Sequence, residues 1–156
     1  MNFQFRALDS QEFAHLFALS DEALERHHAR RVKVSEHPGT PCRVSLEDAQ
    51  IGENVILVNY VHMSLDTPYR ASHAIYVRES VKTATPKQNE IPALLLHRTL
   101  SVRAFDKEGM MIDADVVEGT ALNGTIGQLF ATNASIAELH IHYAKPGCFA
   151  ARVTRA

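Results

Sequence analysis

This chain of 156 residues contains no run of eighteen or more consecutive apolar residues, so no helical membrane span is expected. It has no surplus of positive charge either: 16 Lys and Arg stand against 18 Asp and Glu, giving a formal net charge of −2 and a pI near 6.5. The electrostatic footprint of a nucleic-acid binder is therefore missing, and the small cluster Arg30, Arg31 and Lys33 reads as a solvated edge. The opening Met1-Asn2-Phe3-Gln4-Phe5-Arg6 lacks the basic stretch and following apolar run of a secretory signal, which makes the cytoplasm the expected location. Cysteine is scarce. A bridge between Cys42 and Cys148 would close a loop of about a hundred residues and add roughly 4–5 kcal/mol. A reducing compartment and a core of this size make the staple unnecessary, so both are expected as free thiols.

The 46% hydrophobic content suits one domain, residues 1–156, with a substantial core. Phe3 and Phe5 alternate with Gln4 and Arg6 as an opening strand with one wet face. Asp9 with Glu12 resembles a capping box for a short helix carrying Phe13, Leu16 and Phe17, and Ser20 caps a second helix ending near His27 and His28. Cations are favoured at a helix C-terminus, which accounts for that histidine pair structurally. Val32 and Val34 suggest a short strand, and Ser45 to Ala49 a capped helical turn. Asn54 to His62 is apolar on both faces and should lie centrally in a sheet. A turn near Thr67 leads to a strand over His73 to Glu79, and Thr83 to Glu90 is a surface loop. Ile91 to His97 opens a short helix on a proline.

Leu100 to Phe105 and Met110 to Val117 form a hairpin around Asp106-Lys107-Glu108-Gly109. Met110, Ile112, Ala114 and Val116 are expected on its inner face, with Asp113 and Asp115 outward. Gly119 to Phe130 reads as a helix with Leu122, Ile126 and Leu129 along one stripe. Its glycines lack both the P-loop lysine and the dinucleotide spacing, so close helix–sheet packing accounts for them better than a phosphate cradle. The fold class expected is α+β, a mixed or mainly antiparallel sheet with several short helices packed on it.

The runs Pro38-Gly39-Thr40-Pro41-Cys42-Arg43-Val44-Ser45, Pro68-Tyr69-Arg70-Ala71-Ser72-His73-Ala74-Ile75-Tyr76-Val77-Arg78-Glu79 and Gly147-Cys148-Phe149-Ala150-Ala151-Arg152-Val153 resemble a family catalogued as domain of unknown function 1203. The resemblance extends over nearly the whole chain. It implies a bacterial, stand-alone, single-domain protein and transfers no activity, cofactor or catalytic role.

The most informative stretch is Glu138 to Tyr143, in which Leu139, Ile141 and Tyr143 alternate with Glu138, His140 and His142. Two imidazoles and a carboxylate thus point the same way on one strand. His140 and His142 lie about 6.5–7 Å apart along it and can converge on one ion, whereas Glu138 lies about 13 Å from His142. A third ligand would come from His62, His73 or Cys148. His-x-His also occurs in cupin sites, but the rest of that signature is not matched. No metal is expected, and an exposed or cleft-lining histidine face is preferred.

Cys148 with His140 or His142 could form a thiolate–imidazolium pair, with Arg152 lowering the thiol pKa; burial is the preferred account of that cysteine. Tyr69, Arg70, Ser72 and His73 place a phenol, a guanidinium, a hydroxyl and an imidazole between two strands, where a small anion could be held. If that loop met the His140–His142 face, His140, His142 or His62 would serve as acid/base groups and Arg70 and Arg152 would orient an anionic substrate. Binding of a small polar or anionic ligand, with turnover left open, is the function expected. The alternative is a non-enzymatic structural or interaction protein, including a homodimer; a histidine-based metal site comes third. The cofactor is left unassigned.

Overall fold

The computed structural model describes residues 2–156. Eight strands and three short α-helices are arranged in two antiparallel sheets, so the α+β class holds, with the strands divided between two sheets. The larger sheet contains β1 (Phe3–Arg6), β5 (Thr99–Phe105), β6 (Met111–Glu118), β7 (Glu138–Tyr143) and β8 (Phe149–Arg155) in the order β1-β8-β7-β5-β6. The smaller contains β2 (Ala29–Lys33), β3 (Asn54–Met63) and β4 (Ala71–Arg78), with β3 in the centre as its apolar sequence predicts.

Each layer follows from strand alternation. Leu100, Val102 and Ala104 of β5, with Leu139, Ile141 and Tyr143 of β7, bury one face of the large sheet under α3 (Leu122–Thr132). Leu122, Ile126 and Leu129 form the apolar stripe of that helix, joined by Phe130, and Phe3 and Phe5 add their rings from β1. In the small sheet Ile56 and Val58 of β3 with Ile75 and Val77 of β4 face inward. They are closed off by Phe13, Leu16 and Leu24 of the N-terminal segment and by Phe149 of β8. Among the described residues no helix is long and apolar enough to cross a membrane.

Several local expectations change for identifiable reasons. Asp9 does cap, accepting from the Gln11 amide at 2.9 Å, but the segment behind it winds into 3-10 turns at Ser10–Glu12 and Ala14–Ala18 rather than an α-helix. Ser20 caps α1 (Asp21–Arg26) by accepting from the Ala23 amide at 3.2 Å, and the helix ends at His27. Ser45 to Ala49 is not helical: Leu46 takes φ of +52°, a left-handed conformation that a right-handed helix cannot continue through. The short α2 (Ala93–Leu96) follows Pro92.

The glycines around α3 separate into two kinds. A Cβ on Gly119 would sit 1.9 Å from the Leu95 carbonyl oxygen, so that position needs glycine for close approach. Gly124 and Gly127 have nothing within 4 Å, and the packing explanation fails for them. The inner face expected for β6 also fails. Val116 is 63% exposed and Ile112 37%, because β6 is an edge strand and its residues on that face lack cover.

Candidate functional site

The polar face of β7 does not meet water. His140 and His142 have 0% exposure, and Glu138 is half-buried beside them. Register places Arg103 of β5 opposite His140, Ser101 opposite His142, and Arg152 of β8 opposite His140 on the other side. Against this face the small sheet presents the far end of its own inner row, where the series Ile56, Val58, Tyr60 ends in His62 and the partner series Val77, Ile75 ends in His73. Four histidines from β3, β4 and β7 therefore meet between the sheets. Two bulges lie at this point, one between Val61 and Met63 and one between Ile141 and His142. A bulge turns a side chain away from the regular pleat, and here each falls on a clustered histidine.

The rings are tightly set. His62 stacks with His73 at 4.7 Å between centroids and 7° between planes, and with Phe149 at 5.2 Å and 9°. His142 stands edge-on to His62 at 4.9 Å and to His73 at 5.2 Å. The hydrogen-bond network fixes the tautomers. An ionised Glu138 only accepts, so His140 donates from Nε2 to its Oε1 at 2.8 Å. His140 Nδ1 then accepts from His62 Nδ1–H at 3.1 Å, which leaves a lone pair on His62 Nε2. His142 donates from Nδ1 to the Gly147 carbonyl at 3.1 Å, leaving a lone pair on its Nε2. His62 Nε2, His142 Nε2 and His73 Nδ1 are buried with no hydrogen-bond partner. One ring nitrogen from each of these three histidines lies within 4.8 Å of the others.

Electrostatics keep the cluster neutral. Burial, then the neighbouring charges of His140, His73, Arg103 and Arg152, pushes His62 down to about 3. Burial, then Arg103, pushes His142 down to about 2, against the bond to Gly147. His73 is lowered by burial, Arg103 and Arg43. Burial works to raise the Glu138 carboxyl, but the His140 hydrogen bond and Arg152 outweigh it and hold the group below its ordinary value. Arg152 pairs with Glu138 at 3.2 Å and donates to the His62 carbonyl at 3.2 Å. Arg103 makes only a 3.4 Å contact with Ser101 Oγ, and among the described residues no carboxylate pairs with it.

These shifts set a pH dependence. When no ligand is bound, folded His62 and His142 stay neutral while unfolded ones titrate at about 6.5. Between those values the unfolded chain binds more protons. The stability is thus fully present above about pH 6.5 and is lost as pH falls toward 3, by up to roughly 1.4 kcal/mol per pH unit for each group. Urea midpoints of the ligand-free protein should be lower at about pH 5 than at about pH 7; equal midpoints would contradict the burial of neutral imidazoles.

The residues expected to form a site are thus only partly brought together. His62, His140, His142, His73 and Arg152 converge. Tyr69 reaches the margin, its ring 6.1 Å from Phe105, which packs 4.8 Å from His140. Arg70 is exposed and donates to the Ser64 carbonyl, and Ser72 is exposed opposite Val61, so neither joins the cluster. Acid/base duty at neutral pH does not suit His62 or His142, because burial holds both unprotonated. His140 is not a free metal candidate, since Glu138 and His62 occupy both of its ring nitrogens. Cys148 forms no imidazole pair: its Sγ lies 3.1 Å from Arg43 Nη2, beside a cleft of about 430 Å³ lined by Tyr76, Arg98 and Tyr143. Both cysteines are free thiols.

Two residues escaped the sequence reading. Arg103 was within reach, since Leu100, Val102 and Ala104 alternate with Ser101, Arg103 and Phe105, which puts Arg103 on the His140 face. Buried Arg43 left no periodic signal. No curated protein and no solved structure matches the chain. The family comparison is positive over 39–155, a span that includes every residue of the histidine cluster and its partners: the chain belongs to the DUF1203 family, described as a protein of unknown function.

Proposed function

We propose that the protein binds one transition-metal ion through His62, His73 and His142. The observation that carries this reading is the trio of buried imidazole nitrogens without hydrogen-bond partners, drawn from three strands and pointing into one small volume. Leaving such groups unpaired is costly, and native proteins retain them where something else satisfies them. The outer partners match what metal ligands need. Glu138 orients His140, His140 orients His62, and the Gly147 carbonyl orients His142, each setting a tautomer that frees a lone pair. Because burial already keeps His62 and His142 unprotonated, an ion entering at neutral pH displaces no proton from them.

An all-imidazole set favours Zn²⁺, Cu²⁺ or Ni²⁺ over Mg²⁺ or Ca²⁺, which prefer oxygen ligands. With metal–nitrogen bonds of about 2.0–2.1 Å, tetrahedral ligand nitrogens sit roughly 3.3 Å apart, so the cluster must tighten on binding. His73 is the half-buried member and the one free to rotate. Titration of metal-free protein with Zn²⁺, followed by native mass spectrometry, is expected to give one tightly held ion per chain. A chain that stays bare in excess zinc, cobalt and copper would return the cluster to a purely structural role.

A further inference from the structure

We infer that the ion keeps an open coordination position beside Arg103, and that this position takes a small carboxylate-class anion. The inference rests on the three-histidine metal site proposed for this protein. Three protein ligands leave at least one position of a tetrahedral ion unfilled, the arrangement found where a metal engages substrate rather than merely stiffening a fold. Charge decides what fills it. The three imidazoles are neutral, so the ion keeps its full double charge, and Glu138 is already matched by Arg152. Arg103 adds a further positive charge on the same face, opposite His140, with no carboxylate partner among the described residues.

A dication and an unpaired guanidinium in one half-buried seam repel each other unless an anion lies between them. A carboxylate fits both: one oxygen coordinates the ion, and both can meet the planar donor fork of arginine. Access runs past His73 and Arg103, each half-buried, while the Phe105 ring against His140 and Tyr69 against Phe105 wall one flank. A narrow approach of this kind selects for small ligands. Metal and anion also support one another by linkage: if the anion tightens the ion, the ion tightens the anion by the same factor.

The test uses full-length protein loaded with Co²⁺ in chloride-free buffer, with visible absorption followed as acetate or inorganic phosphate is added. Acetate is expected to shift the ligand-field bands in a saturable way, and Co²⁺ to bind more tightly in its presence. Arg103→Gln should still take up Co²⁺ with an unchanged melting temperature, but bind acetate about 10–100-fold more weakly. Cobalt bands indifferent to acetate, or acetate affinity unchanged in Arg103→Gln, would overturn the anion site while leaving the metal reading intact. A response to phosphate alone would overturn the carboxylate class. Failure of Co²⁺ to bind at all would remove the metal reading and this inference together.

Discussion

His142→Ala is expected to lower zinc affinity by roughly a thousandfold and to abolish stoichiometric metal in the purified protein. The size comes from spreading a structural zinc site's total of about 10–16 kcal/mol over four ligands, close to 4 kcal/mol each. His142 is the only one of the three histidines contributed by the large sheet, so no neighbouring imidazole on that sheet can replace it: His140 has both nitrogens engaged. The comparison with Glu138→Gln is informative. That change leaves all three ligands in place and removes only the charge that orients His140, so a 10–100-fold loss is expected. Calorimetry on the two variants should reproduce this order. A His142→Ala protein that still carries one ion per chain would mean the ion sits elsewhere.

Arg43→Ala is expected to destabilise the fold by about 4 kcal/mol, lowering the melting temperature by roughly 10 °C. Arg43 is 2% exposed and sits where the segment after the Pro38 turn crosses the β7–β8 hairpin. Its Nε donates to the Phe149 carbonyl at 2.8 Å, Nη1 to the Pro41 carbonyl, and Nη2 contacts Cys148 Sγ at 3.1 Å. The guanidinium also lies 5.1 Å from the centre of the Tyr143 ring. Truncation leaves two buried carbonyls unpaired and opens a cavity, so both costs act together. Arg43→Met restores much of the volume without the donors and should recover only part of the loss. A melting temperature within a degree or two of the parent protein in Arg43→Ala would show that water satisfies these carbonyls.

Much of the architecture could be read from periodicity because burial is one-sided wherever a helix or sheet covers a strand. Phe3 and Phe5, the Leu122–Ile126–Leu129 stripe and the alternation in β7 all declare their inner faces in this way. Reading fails where a second layer covers the polar face as well. Alternation in β7 separates two faces but cannot say that both are buried, and so His140 and His142 read as cleft-lining. The composition of the cluster was half visible: His62 and His73 stood out as partners for His142, but which nitrogens remained free depended on Glu138, Gly147 and the two bulges. Arg70 and Ser72 misled because proximity in sequence says nothing about which side of β4 a residue occupies. Arg43 was silent, since a lone arginine in a loop has no period to betray its burial.

The origin of the three histidines on different sheets has a topological consequence. An ion shared by His62 and His142 would tie together positions eighty residues apart, in a chain whose two cysteines are unbridged. Closing a loop of that length in the unfolded ensemble is worth about 4–5 kcal/mol when the link is covalent, and a slowly exchanging metal bond acts in the same sense. Such a tie is reversible without any oxidant. The molecule would then possess a removable cross-link whose strength is set by metal supply, so that chelation loosens the grip of one sheet on the other while each keeps its own hydrogen-bonded ladder.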